Sequence, residues 1–349
     1  MDTSSELFGS SIDWLAHTLN HSDSNIPTTT IPLVDDTEVV RQDVGILELT
    51  PPSSRPNTNH EALIISAGVH GNETAPIEVL NELVSDILRG DLVITCPLLL
   101  ILGNPPAMVA GERFLDVNMN RLFAGAHSKP EYREFPAAGR AGELEELCRD
   151  FAARHSGLAL SHYDLHTAIR PSRREKFALY PFVEGREVPA SQCRFLLEAD
   201  VETLLLQHKA GTTFSSFTSS ELGAESFTIE LGKVRPFGEN DLGRFSGIRG
   251  ALRRRFAGES APASSSDLDR LTVFEVVHEV LNTGDGFRFH VPDDASNFTE
   301  YHPGTVIWED DNTSYRVGDR AEAIVFPNRH VPVGQRVGLV IRPRKVSGA

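Results

Sequence analysis

The stretch LIISAGVHGNETAP, residues 63–76, places a histidine and a glutamate where a buried strand gives way to a helix. Its first residues form the apolar run of a strand, and apolar side chains recur at helical spacing after Thr74. His70 and Glu73 stand between the two elements, so their side chains can turn to the same side. Because ligands of open α/β sheets bind outside the carboxyl ends of the strands, this connection is a candidate functional site.

Similar apolar strands alternate with helices up to residue 258, which predicts an α/β domain with a largely parallel sheet. Strands are predicted at 45–50, 61–68, 96–104, 158–166, 176–182 and 226–232. Helices are predicted at 74–90, 139–157, 191–208 and 239–258.

The composition changes near the end of this region and predicts a second, smaller domain. Residues 259–267 are rich in small side chains, as in a linker, and short strands separated by Gly, Pro, Asn and Asp follow over 268–349. This pattern is typical of an all-β domain of sandwich or barrel type. The α/β domain is predicted at 45–258, and residues 1–44 form an N-terminal extension that begins with an amphipathic helix.

The net charge of −16 argues against nucleic acid or an anionic membrane as a partner. No apolar run approaches the roughly 20 residues that span a bilayer. The N-terminus is acidic and lacks the features of a secretory signal. Three widely spaced cysteines fit unpaired thiols in a reducing compartment. A cytoplasmic protein is therefore expected, and an anionic substrate would need positive charge within the site.

A second strand end supplies a third candidate metal ligand. His70 and Glu73 alone could simply cap a turn and a helix N-terminus, but HYDLHTA places His166 at the end of another predicted strand. Two histidines and a glutamate with one open position are a common ligand set of catalytic zinc. His162 shares the strand face and remains an alternative ligand, while Asp164 could accept the second ring N–H of one histidine.

Glu230 closes the apolar stretch SFTIELG at a third strand end. A carboxylate in that position is costly unless it faces a cleft or a charged partner. Glu230 could therefore be a general base that takes a proton from a metal-bound water. The alternative is a glutamate at the rim of the sheet, paired with Lys233 or Arg235.

Arginines follow two of the predicted strand ends and indicate an anionic ligand. Arginine binds carboxylates through two N–H groups and stays charged when it loses water. The segments GERFLDVNMNRLF and HTAIRPSRREKF contain, in chain order, Arg113, Asn120, Arg121, Arg170, Arg173 and Arg174. The alternative is that these arginines are solvated surface charges, and this interpretation is favoured for Arg173 and Arg174.

Together these segments resemble the succinylglutamate desuccinylase/aspartoacylase family of zinc carboxypeptidase-like hydrolases. The resemblance is carried, from about residue 45 onward, by GVHGNETAP, ILGNPPA, NMNRLF, DLHTAIRPS, GTTFSSF, TIELGKVRPFGENDL and VFPNRHVPVGQRVGLVI. The segments HGNE, DLHTA and ELGK, occurring in this order, are together a strong signal of the family, whereas each one alone is only a modest signal. The resemblance implies a zinc carboxypeptidase-like domain with a mostly parallel mixed sheet flanked by helices, followed by the small C-terminal all-β domain.

The resemblance also implies a ligand set and a base at positions of this chain. His70, Glu73 and His166 would be the ligands of one Zn²⁺ per chain, and Glu230 would be the general acid/base. Arg113 falls where the family polarises the scissile carbonyl.

Further positions are implied for the substrate. Asn120 and Arg121 match the pair that binds the carboxylate of the released amino acid, and Arg170 would clamp a second carboxylate. A tyrosine of the related aspartoacylase C-terminal domain has no clear equivalent in RHVPVGQRVG. The sequence therefore assigns the β domain no role at the site.

The implied activity is hydrolysis of N-succinyl-L-glutamate to succinate and L-glutamate, the last step of the arginine succinyltransferase route of arginine breakdown. A small anionic acyl-amino acid would be the substrate. The alternatives are a deacylase of another N-acyl amino acid, of aspartoacylase type, and a non-catalytic protein that keeps the fold as a scaffold. A purely structural zinc site is disfavoured because such sites are closed and rich in cysteine. The oligomeric state stays open.

Overall fold

The computed structural model describes residues 3–11, 13–259 and 265–344. The α-helices are α1 (Thr3–Phe8), α2 (Trp14–Asn20), α3 (Thr74–Leu88), α4 (Pro105–Ala110), α5 (Pro136–Arg154), α6 (Ala190–Glu198), α7 (Phe214–Glu221) and α8 (Ser246–Phe256). The strands of the first two thirds of the chain are β1 (Thr29–Pro32), β2 (Glu38–Asp43), β3 (Ile46–Thr50), β4 (Glu61–Ala67), β5 (Leu98–Leu102), β6 (Ala159–Ala168), β7 (Phe177–Tyr180), β8 (Thr203–Leu206) and β9 (Glu225–Lys233). The C-terminal strands are β10 (Thr272–Leu281), β11 (Arg288–Phe289), β12 (Thr299–Tyr301), β13 (Val306–Glu309), β14 (Ser314–Arg316), β15 (Glu322–Val325) and β16 (Arg336–Arg344).

Thirteen of these strands form one mixed sheet in the order β1-β2-β3-β5-β4-β6-β9-β7-β8-β10-β16-β15-β12. At its centre β5, β4, β6 and β9 are parallel neighbours. The carboxyl ends of β4, β6 and β9 therefore meet at one edge. Antiparallel pairs flank this centre, between β3 and β5 on one side and between β9 and β7 on the other.

The C-terminal strands continue the same sheet, because β8 pairs in parallel with β10 and β10 pairs antiparallel with β16. The strands β11, β13 and β14 form a separate antiparallel sheet. An apolar cluster that includes Ile307, Trp308 and Val340 lies within this region. The predicted α/β architecture followed by a C-terminal all-β domain is confirmed.

Both faces of β4 are buried, which explains its nearly continuous apolar sequence. Leu63 and Ile65 belong to the core cluster that contains Leu80 of α3. Ile64 points to the opposite face and belongs to the cluster that contains Phe151 of α5. Helices thus cover the two faces of the central sheet and leave the carboxyl ends of its strands as the place for a site.

Two sequence predictions of secondary structure are wrong in part. The segment 191–208 is not one helix: α6 ends at Glu198, and β8 follows after a turn in which Asp200 has a φ of 61°. The N-terminal extension holds two short helices, α1 and α2, rather than one. Most of the predicted linker, residues 260–264, lies outside the described residues.

Among the described residues, no helix combines the length and the apolar character that crossing a membrane requires. All three cysteines are free and buried. Burial raises the pKa of each of these thiols, so none is an activated nucleophile.

Candidate metal centre and substrate site

A sharp turn between β4 and α3 brings His70 and Glu73 side by side. The backbone N–H of Glu73 donates to the carbonyl oxygen of His70 over 3.2 Å. Gly71 in this turn lies against α4, and a Cβ atom there would be 2.1 Å from the carbonyl carbon of Ala107. Only glycine allows the turn to pack this closely, so the HGNE sequence fixes the position of both candidate ligands.

His70, Glu73 and His166 form a buried group whose ligand atoms all lie within 4.8 Å of one another. The two Nδ1 atoms are 3.2 Å apart. Glu73 places Oε1 2.9 Å from Nδ1 of His70 and Oε2 2.9 Å from Nδ1 of His166. Ligand atoms of a tetrahedral zinc site, with bonds of about 2.0–2.1 Å, lie about 3.3 Å apart. The group has the donor types and the spacing to hold a metal ion.

The other ring nitrogen of each histidine in this group has a hydrogen-bond acceptor. Nε2 of His70 lies 3.0 Å from Oδ1 of Asn118. Nε2 of His166 lies 2.8 Å from Oδ2 of Asp164. Such acceptors fix the tautomer and leave the first nitrogen free to bind a metal. Both histidines therefore present Nδ1 to the same point.

His162, the alternative ligand, does not join the group. Its Nε2 atom lies 2.8 Å from the Ser66 hydroxyl, and its Nδ1 atom lies 2.8 Å from the Thr218 hydroxyl. Both ring nitrogens are thus occupied in the interior. The structure brings His166 to the other two candidate ligands.

The electrostatics of the group favour a bound cation. Although burial opposes it, His166 and His70 hold the pKa of Glu73 below its usual range. Burial alone would lower the pKa of His166, but the carboxylates of Asp164 and Glu73 raise it well above its usual range. Burial lowers the pKa of His70. Two ionised carboxylates at one buried site call for positive charge, which a proton on His166 or a metal ion can provide.

Glu230 lies in β9, directly opposite His166 in the pairing of β6 with β9. Its Oε2 atom is buried and has no hydrogen-bond partner among the described residues. The described residues also show no ion pair between Glu230 and Lys233 or Arg235. Burial first, and then the Glu73 carboxylate, raises the pKa of Glu230 to about 7. A carboxyl with this pKa can take up and release a proton near neutrality.

The NMNRLF segment forms a short 3-10 helix at Met119–Arg121 beside this group. Oδ1 of Asn120 accepts the backbone N–H of Phe214 over 2.9 Å, which leaves its amide NH₂ free to donate. Arg121 is exposed to solvent, although neighbouring protein groups lie around its side chain. Burial and two neighbouring guanidinium groups, Arg336 and Arg113, lower the pKa of Arg121 to about 10.

The other arginines make different contacts. Nη1 of Arg113 lies 2.5 Å from Oε1 of Glu73, so this side chain does reach the group. Arg170 instead donates from Nη1 to the carbonyl oxygens of Asp293 and Ala295 in the C-terminal part of the chain.

Arg173 and Arg174, which are interpreted from the sequence as surface charges, also contact the C-terminal part of the chain. Arg174 donates to the hydroxyls of Thr203 and Thr272 and stacks over the ring of Phe274. The backbone N–H of Arg173 donates to the carbonyl oxygen of Asn297.

Comparison with known proteins adds independent findings. Residues 59–255 match the succinylglutamate desuccinylase/aspartoacylase catalytic domain, and residues 269–344 match the AstE/AspA barrel-sandwich hybrid domain. A succinylglutamate desuccinylase of Pseudomonas paraeruginosa is 44% identical over 322 residues, which cover 92% of this chain and 95% of that protein.

The chain belongs to the succinylglutamate desuccinylase/aspartoacylase family. Solved structures agree with this membership. The succinylglutamate desuccinylase of Chromobacterium violaceum matches with a TM-score of 0.83 and 37% identity, covering 96% of this chain and 99% of that chain. The enzyme of the same name from Vibrio cholerae matches with a TM-score of 0.84 and 30% identity, covering 98% of both chains. The resemblance found in the sequence is confirmed at the level of family and fold.

Sequence reasoning missed several polar residues that support the site. Asn118 precedes Asn120 by two positions in NMNRLF, yet nothing in the sequence distinguishes its role as acceptor for His70. The backbone N–H of Thr167 donates to Oε2 of Glu73 over 2.9 Å, a contact that no side-chain pattern can reveal. Ser66 is a single hydroxyl within an apolar strand and gives no signal by itself.

Proposed function

We propose that this chain is a zinc-dependent amidohydrolase that cleaves N-succinyl-L-glutamate into succinate and L-glutamate. The names of its relatives support the substrate. One observation carries the chemistry: a buried His–Glu–His group at the ends of β4 and β6 stands beside Glu230 on the adjacent strand β9. Cytoplasmic location and a place in arginine breakdown, both expected from the sequence, belong to the same proposal.

His70, Glu73 and His166 would hold the metal through the two Nδ1 atoms and the carboxylate. A bound Zn²⁺ would lower the pKa of its water toward neutrality and polarise the scissile carbonyl. Glu230 would accept the proton from the attacking water on its unpartnered Oε2 and later donate it to the departing amine of L-glutamate. Its pKa of about 7 in the metal-free protein suits a group that must do both.

The arginines would bind the charged ends of the substrate. Arg121 and the free NH₂ group of Asn120 would bind the carboxylate of the departing L-glutamate. Among the described residues neither Arg121 nor its neighbour Arg336 forms an ion pair within 4 Å, and two neighbouring guanidinium groups favour an anionic ligand even though the Glu279 carboxylate acts on Arg336. This local positive charge would overcome the repulsion from a chain with a net charge of −16.

Two further arginines complete the proposal. Arg113 uses one N–H on Glu73, and its remaining donors would reach the scissile carbonyl oxygen. Arg170 would clamp a second carboxylate only with the N–H groups that its bonds to Asp293 and Ala295 leave free.

The test compares two substrates and two variants of the full-length chain loaded with zinc. Release of succinate from N-succinyl-L-glutamate is measured beside release of acetate from N-acetyl-L-aspartate. Glu230→Gln should lose about 10²–10⁴-fold in kcat while it keeps its zinc. Glu225→Gln is the matched control, because Glu225 lies in the same strand but binds the Tyr180 hydroxyl.

Each outcome decides one part of the proposal. Turnover of N-succinyl-L-glutamate that is lost only in Glu230→Gln supports the substrate and the base. Full activity in Glu230→Gln removes Glu230 as the base. Turnover of N-acetyl-L-aspartate alone identifies a deacylase of another acyl-amino acid, and no turnover by zinc-loaded protein overturns the proposed substrate.

A further inference from the structure

A buried row of polar side chains runs from helix α7 to the candidate metal centre. The Thr218 hydroxyl lies 2.8 Å from Nδ1 of His162, and Nε2 of His162 lies 2.8 Å from the Ser66 hydroxyl. The Ser66 hydroxyl is 2.6 Å from Oδ1 of Asp164, whose Oδ2 atom is 2.8 Å from Nε2 of His166. The row therefore ends on the ring of a candidate metal ligand.

The direction of each hydrogen bond follows from the donors available. The Asp164 carboxylate accepts at both oxygens, from the Ser66 hydroxyl at Oδ1 and from the Nε2–H of His166 at Oδ2. The Ser66 hydroxyl must then donate to Asp164, and it accepts the Nε2–H of His162. Burial lowers the pKa of His162 to about 4, so this ring is neutral and its Nδ1 accepts from the Thr218 hydroxyl. Every bond in the row points toward Asp164.

The row has no access to solvent that could replace a lost bond. Each of its five side chains is at most 2% exposed. A buried polar group that loses its partner bears the full cost of its desolvation. The carboxylate of an aspartate rotates broadly about its last torsion. One bond to His166 leaves that rotation free, and the second bond, from Ser66, fixes the carboxylate plane.

Helix α7 joins this row to the predicted substrate site. The ring of Phe214 packs edge-on against His162 at 4.7 Å and stacks on Phe123 at 4.3 Å. The backbone N–H of Phe214 donates to Asn120, and the backbone N–H of Phe123 donates to the carbonyl oxygen of Thr212. The segment GTTFSSF, which the sequence singles out without a role, thus contacts both His162 and the 3-10 helix of the NMNRLF segment.

We propose that His162 is a positioning residue for the metal centre: through Ser66 and Asp164 it holds the ring of His166 with Nδ1 directed at the metal. The inference rests on the metal site of the proposed function. His162 touches neither metal nor substrate, and its effect passes through two hydrogen bonds and one carboxylate. A second consequence is that helix α7 supports two parts of the site at once, His166 through this row of hydrogen bonds and Asn120 through the backbone of Phe214.

The test measures zinc affinity rather than activity. Ser66→Ala removes the donor to Asp164 with little change in volume. In competition with a chelator, full-length Ser66→Ala should bind zinc about 10–100-fold more weakly than the wild type, as is typical when support of a metal ligand is lost. Ser161→Ala is the matched control: Ser161 is also buried in the same parallel pair of strands, but its hydroxyl binds Gln192 and Arg255.

Two more variants separate positioning from general loss of structure. Ser66→Thr keeps the hydroxyl and should restore zinc affinity to within about threefold of the wild type. His162→Phe keeps the ring against Phe214 but removes both nitrogens, and it should weaken zinc binding in the same direction as Ser66→Ala. Melting of each metal-free variant shows whether it is folded.

The outcomes are distinct from those of the activity test. Zinc binding by Ser66→Ala that equals that of Ser161→Ala would overturn the inference, since Asp164 alone would then suffice. Wild-type protein that binds no zinc would also overturn it. Wild-type protein that binds zinc tightly but cleaves neither substrate would remove the proposed function, while weaker zinc binding in both Ser66→Ala and His162→Phe would still support the role of His162.

Discussion

Glu230 stands directly opposite His166 where β6 pairs with β9, and its buried Oε2 has no hydrogen-bond partner among the described residues. A carboxylate in this position is unfavourable for folding, because burial and the nearby Glu73 both oppose its ionisation. The same features raise its pKa into the range useful for proton transfer. Stability and the proposed role as general base therefore make opposite demands on this residue.

Glu230→Gln should stabilise the metal-free protein at about pH 8 by about 1–3 kcal/mol. The pKa of this carboxyl rises from 4.5 to about 7 on folding. Between these values the folded state keeps a proton that the unfolded chain releases, so the free energy of unfolding falls as pH rises. Urea unfolding at about pH 5 and pH 8 measures the effect.

The variant should differ little from the wild type at about pH 4, where both folded and unfolded states carry the proton. Glu225→Gln serves as control, because Glu225 lies in the same strand and its carboxylate accepts the Tyr180 hydroxyl. Equal stability of Glu230→Gln and wild type at every pH would show that the surroundings of Glu230 do not oppose ionisation of its carboxyl group.

Asn118→Ala should weaken zinc binding about 10–100-fold, because the Nε2–H of His70 then loses its acceptor. Asn118→Asp keeps an acceptor at the same place and should bind zinc at least as well as the wild type. Chelator competition measures both. If both variants bound zinc equally weakly, an acceptor for the Nε2–H of His70 would not be what zinc binding requires at position 118.

Asn120→Asp should raise KM for the acyl-amino acid at least about tenfold while the protein stays folded. The aspartate still accepts the backbone N–H of Phe214, so the local structure is preserved. It replaces the free NH₂ donor by a negative charge that repels a carboxylate. Steady-state kinetics give KM and kcat separately, and a variant with unchanged KM would place the substrate carboxylate elsewhere.

Much of the fold could be predicted because burial imposes simple patterns. The apolar run of β4 and the helical spacing of α3 are both confirmed, and so is their meeting at His70 and Glu73. The prediction fails at 191–208, where an apolar run of a few residues fits a helix or a strand equally well. The pairing of β8 with β7 and β10 decides the outcome, and sequence periodicity carries no information about pairing.

The candidate ligands could be predicted because they occupy strand ends, whereas their supports could not. Ser66 and Thr218 are ordinary small polar residues, and only the register of β4 against β6 and the packing of α7 bring them to Asp164 and His162. Isolated hydroxyls occur in many strands and helices without such contacts. The hydrogen-bond network behind the site is therefore a result of the three-dimensional structure.

Zinc should stabilise the folded wild-type chain, and Glu73→Gln should abolish this effect. At a free zinc concentration about 100 times Kd, the free energy of unfolding should increase by about 2.7 kcal/mol. Glu73 supplies the ionised carboxylate between the two histidines, and glutamine cannot replace its charge. Thermal melting with zinc and with excess chelator measures the difference in Tm.

Glu145→Gln is the matched control for this measurement. Glu145 is also buried, accepts the backbone N–H of Gly125 and pairs with Arg149, but it is not one of the three candidate ligands. Its variant should be less stable than the wild type yet gain the same increment from zinc. If Glu73→Gln gained that increment as well, the ion would bind elsewhere on the chain, and His70, Glu73 and His166 would have to be given up as its ligands.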